Sequence, residues 1–327
     1  DESINQKHGE CQCRTDRSKS RNNSHMHSHW FKELLTRGLL WPIRLVGRLG
    51  VVRARRLTGA LSPVWERALA RRRRVVDQNL AWCFPELSLE KRRALRKRHF
   101  RHLAEAVGEI AVAWSQKAPI DPTQGRIEGM AHLEAAKQSG DGVLVLTGHA
   151  VCLEWAARVF GQACPSCGIY RPLSNPVLEQ FQNQGRARYA QHMFDRDDLR
   201  GMVRHLRSGG VLWYAPDQDF GLHRSHFAPF FGIETATARA IPEMARLGRA
   251  VVVPMYPIKD EVTGQVVVHI EPAWANFPSG DGVADVARFN AFLEKHIRQA
   301  PAQYWWLHQR FKTAPDGTHR YQRTPIR

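Results

Sequence analysis

Gly142-Val143-Leu144-Val145-Leu146-Thr147-Gly148-His149 is the stretch on which the fold turns. Four aliphatic residues in a row, bounded by glycine and without polar alternation, read as a strand buried on both faces. Strands of that kind belong to parallel sheets covered by helices. The residues that follow predict a helix over Cys152 to Phe160. A strand that turns at once into a helix places His149 at the strand's carboxyl end, where ligands meet an open α/β sheet.

Working outward, Gly168 to Tyr170, Val211 to Tyr214, Ala250 to Tyr256 and Val266 to Ile270 read as further strands. Helices are expected over Leu199 to Arg207, Thr237 to Leu247 and Asp285 to Gln299. Upstream, Leu89 to Ser115 is a long helical pattern with Ser88 as its N-cap, basic at first and then apolar at Leu103, Val107, Ile110 and Trp114. Strands separated by helices predict an α/β fold, a mixed sheet flanked by helices. Tyr170-Arg171-Pro172, Ala215 to Gly221 and Val253 to Pro257 follow successive strands and place polar or kinked residues at their ends.

The 327-residue chain has a formal net charge of +17. From Lys32 to Arg101 there are 19 Lys and Arg against 5 Asp and Glu. Such a block suits nucleic acid, anionic headgroups or an acidic protein. No aromatic-interleaved recognition block or helix-turn-helix spacing accompanies it, so nucleic acid is not the expected partner. Residues 1–29 have the composition of a disordered tail. Residues 30–74 read as a basic amphipathic membrane-associating segment, residues 75–317 as the folded α/β part and residues 318–327 as a basic tail. Gly38 to Val52 is shorter than the roughly 18 apolar residues of a span and is broken by Pro42, Arg44 and Arg48. With Trp30, Phe31 and Trp41 it reads as an interfacial helix or one packed on the body. The six cysteines make no disulfide framework, and Cys164 and Cys167 form a lone C-x-x-C without a second ligand pair. No metal or cofactor is expected.

His149 and Glu154 are five residues apart across the strand-to-helix turn. With His149 on the turn and Glu154 early in the helix, the carboxylate is expected to bond one imidazole nitrogen and leave the other to take a proton. The helix N-terminus offers free N–H groups to a developing oxyanion. These parts suit acyl transfer to a hydroxyl. By itself H-x-x-x-x-E is a weak motif, and a solvated His beside a surface Glu fits it equally.

Further blocks add to it. Asn79 to Ser88 (NLAWCFPELS), Tyr170 to Pro176 (YRPLSNP), Trp213 to Gly221 (WYAPDQDFG) and Gln303 to Lys312 (QYWWLHQRFK) stand around the His149/Glu154 pair. In that order they resemble the bacterial lipid A late acyltransferases, from about Val75 to Gly317. The resemblance implies a glycerolipid-acyltransferase-like fold at the cytoplasmic face of the inner membrane. It implies an acyl carrier protein thioester as donor and a Kdo-bearing lipid A precursor as acceptor. His149 would be the general base, oriented by Glu154. Arg171, Arg186, Asp217, Asp219 and Arg310 are carried over as substrate-binding residues, with a structural ion pair an equal expectation for Arg186 and Arg310. Asp217 and Asp219 are expected to order the site by pairing with an Arg or backbone N–H groups. The basic face of Lys91 to Arg101 is expected to steer the acidic carrier, and anionic membrane lipid is a further partner. The same fold acting on another glycolipid or glycerolipid, and a basic nucleic-acid- or lipid-binding protein without catalysis, remain open alternatives.

Overall fold

The structure is a computed structural model that describes residues 36–38 and 40–323. The expected tail over residues 1–29, and Trp30 and Phe31 of the amphipathic segment, lie outside the described residues. The chain forms an α/β fold on a seven-stranded sheet. Its strands are β1 (Gly125–Glu128), β2 (Gly142–Leu146), β3 (Cys167–Tyr170), β4 (His192–Asp195), β5 (Val211–Tyr214), β8 (Ala250–Lys259) and β9 (Val266–Ile270). A separate hairpin pairs β6 (Ser225–Phe230) with β7 (Ile233–Ala238). The order across the sheet is β1-β9-β8-β2-β5-β3-β4, and only β8 and β9 run antiparallel.

Every residue of β2 is buried, as a central strand between helical layers demands. The helices are α1 (Val51–Gly59), α2 (Ser62–Ala68), α3 (Ala70–Cys83), α4 (Leu89–Ser115), α5 (Met130–Gln138), α6 (Leu153–Ala163), α7 (Pro176–Arg186), α8 (Leu199–Arg207), α9 (Ala240–Gly248) and α10 (Gly282–Gln299), with a short α11 (Arg320–Arg323). Ser88 caps α4 by accepting from the Lys91 N–H at 3.2 Å. Among the described residues no helix is long and apolar enough to cross a membrane.

Two readings of the sequence change. Thr237 belongs to β7, where its β-branch packs at a buried position, and the helix expected from it starts at Ala240. Ala250 to Tyr256 does not end in a kinked active-site loop. The strand continues through Pro254 and Pro257 because it changes partner there, leaving β2 at Pro254 and pairing with β9 from Met255. Short edge strands β1 and β4 and the hairpin were not read from the sequence. The hairpin turns on Phe231 and Gly232, both at positive φ, as a two-residue turn matched to strand twist requires.

The basic stretch also contains a buried charge network. Lys259 binds Glu105 at 2.7 Å and Glu109 at 3.1 Å, and Arg55 binds Glu109 at 2.7 Å. Arg55 further donates to the Gly264 carbonyl at 2.6 Å, so this arginine of α1 faces the protein and not a lipid. Burial would raise the Glu109 pKa, but Lys259 and Arg55 hold it below the usual value. Removing one member of a buried set strands the others. Glu109→Ala should therefore cost about 3 kcal/mol or more, seen as a lower urea midpoint with an unchanged slope.

Candidate active site

The site follows from strand register. β2 and β5 are parallel neighbours, with Leu146 opposite Tyr214. Three residues beyond each strand end come His149 and Asp217, so the two loops leave the same sheet edge side by side. The His149 Nδ1–H donates to the Asp217 carboxylate in a short hydrogen bond. The other Asp217 oxygen accepts from the His149 backbone N–H at 2.8 Å. Asp217 thus fixes both the loop and the tautomer, which leaves Nε2 with its lone pair. The Asp217 side chain is 1% exposed and that of His149 28%, so the carboxylate is sealed behind an imidazole that opens outward.

Burial pulls the His149 pKa down, but the charge and hydrogen bond of Asp217 more than offset it, and the imidazole lies above its ordinary value. Burial acts upward on Asp217, yet the His149 imidazole and backbone N–H hold it at about 2. Gly148 is required by space. A Cβ there would lie 2.5 Å from Leu293 and 3.2 Å from the Asp217 carboxylate.

Glu154 does not have the expected role of bonding His149. It is the second residue of α6, and the turn into the helix carries it round to the side packed on α4 and α7. There it accepts from Arg186 at 2.9 and 2.7 Å and from the Trp114 indole at 2.7 Å, and it takes a short bond from the Tyr189 hydroxyl. Burial would raise its pKa, but Arg186 above all holds it below the usual carboxylate range. Arg186 is accordingly an ion-pair residue that ties α7 to α6.

Arg310, carried over as a substrate contact, is 1% exposed. It donates to the Ala236 carbonyl at 2.5 Å, Thr237 Oγ1 at 2.8 Å and Asn290 Oδ1 at 3.1 Å, and its guanidinium lies over the Phe230 ring. It braces the hairpin from inside and has no outward face for a ligand. Asp219 accepts from the Gly221 N–H at 2.9 Å and from Thr313 through its N–H at 2.7 Å and hydroxyl at 2.8 Å, ordering the loop as expected. Arg171 stands exposed after β3. The N–H groups expected to serve an oxyanion are largely taken. Those of His149, Ala150, Val151 and Leu153 donate to Asp217, Gly148, Gln303 and Ala150.

A histidine–carboxylate pair thus stands at the carboxyl edge of the sheet. The model of the family described as bacterial lipid A biosynthesis acyltransferase matches residues 19–313. The chain belongs to that family. It is 35% identical over 294 residues to the lipid A biosynthesis lauroyltransferase of Escherichia coli (strain K12), covering 89% of this chain and 95% of that protein. It is 36% identical over 250 residues to the lipid A biosynthesis palmitoleoyltransferase of the same strain, covering 76% and 81%. To the myristoyltransferase of that strain it is 28% identical over 255 residues, covering 76% and 77%.

In this lipid A biosynthesis acyltransferase family member, three neighbours of the pair went unread in the sequence. The Gln218 amide lies 3.4 Å from His149 Nε2, the nitrogen left open. Tyr304 is buried beside Asp217, and burial followed by that negative charge pushes its hydroxyl pKa well up. Its segment forms a bridge to Ala150, while the Trp305 N–H donates to the His149 carbonyl at 2.9 Å. The available signal was the equal three-residue offset of His149 and Asp217 from their strand ends.

The electrostatics predict a titration. His149, followed by NMR in the whole protein, should titrate above the ordinary histidine value of about 6.5. In Asp217→Asn the favourable charge is gone and burial prevails, so the same resonance should titrate below that value. An unshifted His149 in that variant would show that Asp217 does not set its basicity.

Proposed function

We propose that the protein moves a fatty acyl chain from an acyl carrier protein thioester to the hydroxyl of a hydroxyacyl chain on a Kdo-bearing lipid A precursor. The reading rests on one observation above all: an imidazole whose Nδ1 is committed to a buried carboxylate and whose Nε2 opens outward, in a chain of this family. In the proposed reaction Nε2 takes the proton of the acceptor hydroxyl as its oxygen attacks the thioester carbonyl. Asp217 stabilises the imidazolium that forms. Collapse of the tetrahedral intermediate breaks the carbon–sulfur bond, and the departing thiolate receives the proton from His149. The Gln218 amide, next to the reacting nitrogen, offers an N–H to the oxyanion. Arg171 is assigned to an anionic group of donor or acceptor. Glu154 and Arg186 hold α6 and α7 in place beside the site.

The acceptor is a membrane lipid, and we infer that the enzyme works at the cytoplasmic face of the inner membrane. Exposed Trp41, Leu45 and Leu49 among Arg44 and Arg48 support that placement, as does the basic charge of the early chain. The acyltransferase domain is assigned to residues 75–317, with residues 30–74 as its membrane-associating segment.

Purified variants assayed with acyl carrier protein donor separate these roles. His149→Ala and Asp217→Ala should each lower turnover by at least about 10²-fold, and the double variant should be little worse than either. Glu154→Ala should also lower turnover, but with a clear loss of thermal stability, because it strands Arg186. His149→Ala with near-wild-type turnover would overturn the mechanism. Mass spectrometry of lipid A from cells lacking and regaining the gene tests the acceptor, since an unchanged acyl pattern would exclude it.

A further inference from the structure

Helix α2 contributes nothing to the core: none of its residues is buried. At 100° per residue its side chains divide into two sets. Ser62, Pro63, Glu66 and Arg67 turn toward α3 and α4, where they line a cavity. Leu61, just ahead of the helix, and Val64 and Trp65 within it occupy the opposite side and are 49%, 61% and 37% exposed. Further back along the chain, Leu57 and Val52 of α1 and, ahead of that helix, Leu45 and Trp41 are exposed as well. No Asp or Glu occurs from Trp41 to Trp65, and Arg44, Arg48, Arg53 and Arg56 stand exposed among these residues. Single exposed apolar side chains need no explanation. Exposed apolar side chains that recur from Trp41 to Trp65 with only cations among the charged residues mark an interaction surface.

The cavity on the other side of α2 has a volume of about 580 Å³ and is lined by Arg67, Arg73, Lys97 and Arg98. Its one acid, Glu66, is bound by Arg96 at 2.8 Å, and that arginine also binds Asp77 at 2.8 Å. Arg98 has only a long, exposed pairing with Glu261 at 3.8 Å. The side chains of Arg67, Arg73 and Lys97 make no hydrogen bond or ion pair among the described residues. Three uncompensated cations therefore converge on one groove.

We propose that α2 and the groove behind it form a phosphate-headgroup site by which the folded body docks on an anionic phospholipid bilayer. The inference rests on the membrane placement given above and adds a second contact to that of the N-terminal segment. A helix at the interface sinks its apolar side to the acyl boundary, which brings its polar flank to the depth of the phosphates. Arg67 and Val64, three residues apart, mark the edge where headgroup and chain would part. An acidic protein would satisfy the groove but leave Val64, Trp65 and Trp41 in water. A bilayer takes up both surfaces.

The test is flotation of the full chain with vesicles of phosphatidylcholine alone and of phosphatidylcholine mixed with phosphatidylglycerol. The wild type should prefer the anionic vesicles. Arg67→Glu/Arg73→Glu/Lys97→Glu should lose that preference by at least about tenfold while keeping its binding to phosphatidylcholine. Leu61→Ser/Val64→Ser/Trp65→Ser should bind both vesicle types at least about tenfold less well. Either variant behaving as wild type overturns the proposal. So does a groove variant that keeps its vesicle preference but no longer binds an acidic carrier protein, which would assign the groove to a protein. If a triple variant melts early, Lys97→Glu or Val64→Ser alone decides, with an expected loss of about fivefold. Flotation follows no reaction, so a negative result leaves acyl transfer standing. A wild type that binds no vesicle defeats the membrane placement itself.

Discussion

The lateral register of β2 on β5 is the constraint from which the site is built. Because Leu146 lies opposite Tyr214, two loops of equal reach leave the sheet together and deliver an imidazole and a carboxylate to one another. A slip of one residue in that pairing would turn the slipped strand's side chains to the other face and part the two groups. Register is in turn held by burial. β2 is enclosed between β8 and β5, and its side chains are wholly inside.

The structure separates two kinds of carboxylate. Asp217 faces an imidazole, a group able to gain and lose a proton, and its charge raises the affinity of that imidazole for the proton. Glu154 faces Arg186, which stays charged throughout, with Trp114 and Tyr189 completing its shell. A carboxylate saturated in that way is an anchor. Its nearness to His149 in sequence reflects the shortness of the turn, and the helix between them directs the two side chains to different neighbours.

The sequence made the buried strand, the long capped helix and the histidine legible, because each carries a local signature: an apolar run, an N-cap, a strand end. Leu89 to Ser115, Leu199 to Arg207 and Val211 to Tyr214 were read to the residue. Partners 68 residues apart carry no such signature, which is why Asp217 was read as a substrate contact and Glu154 as the orienter. The hairpin escaped for a similar reason. Its turn uses Phe231 at positive φ, a residue with no intrinsic preference for that conformation, held there by packing against Phe84 and Trp306. Arg310 reads from its motif equally as a substrate contact or a structural ion pair, and the fold decides it by enclosing the guanidinium between the β6–β7 hairpin and Asn290 of α10.

The loop bearing His149 is held on its outer side by residues 303–305, through the Ala150–Tyr304 bridge, the Gln303 carbonyl and the Trp305 N–H. These residues come late in the chain, after every strand of the sheet has been made. During synthesis the sheet and its buried strand can therefore assemble while the loop still lacks its clamp. Asp217 already orients the imidazole, and docking of this later segment closes the loop over it. Because Tyr304 and Trp306 are themselves core residues, the same step that clamps the site also completes the packing of the fold.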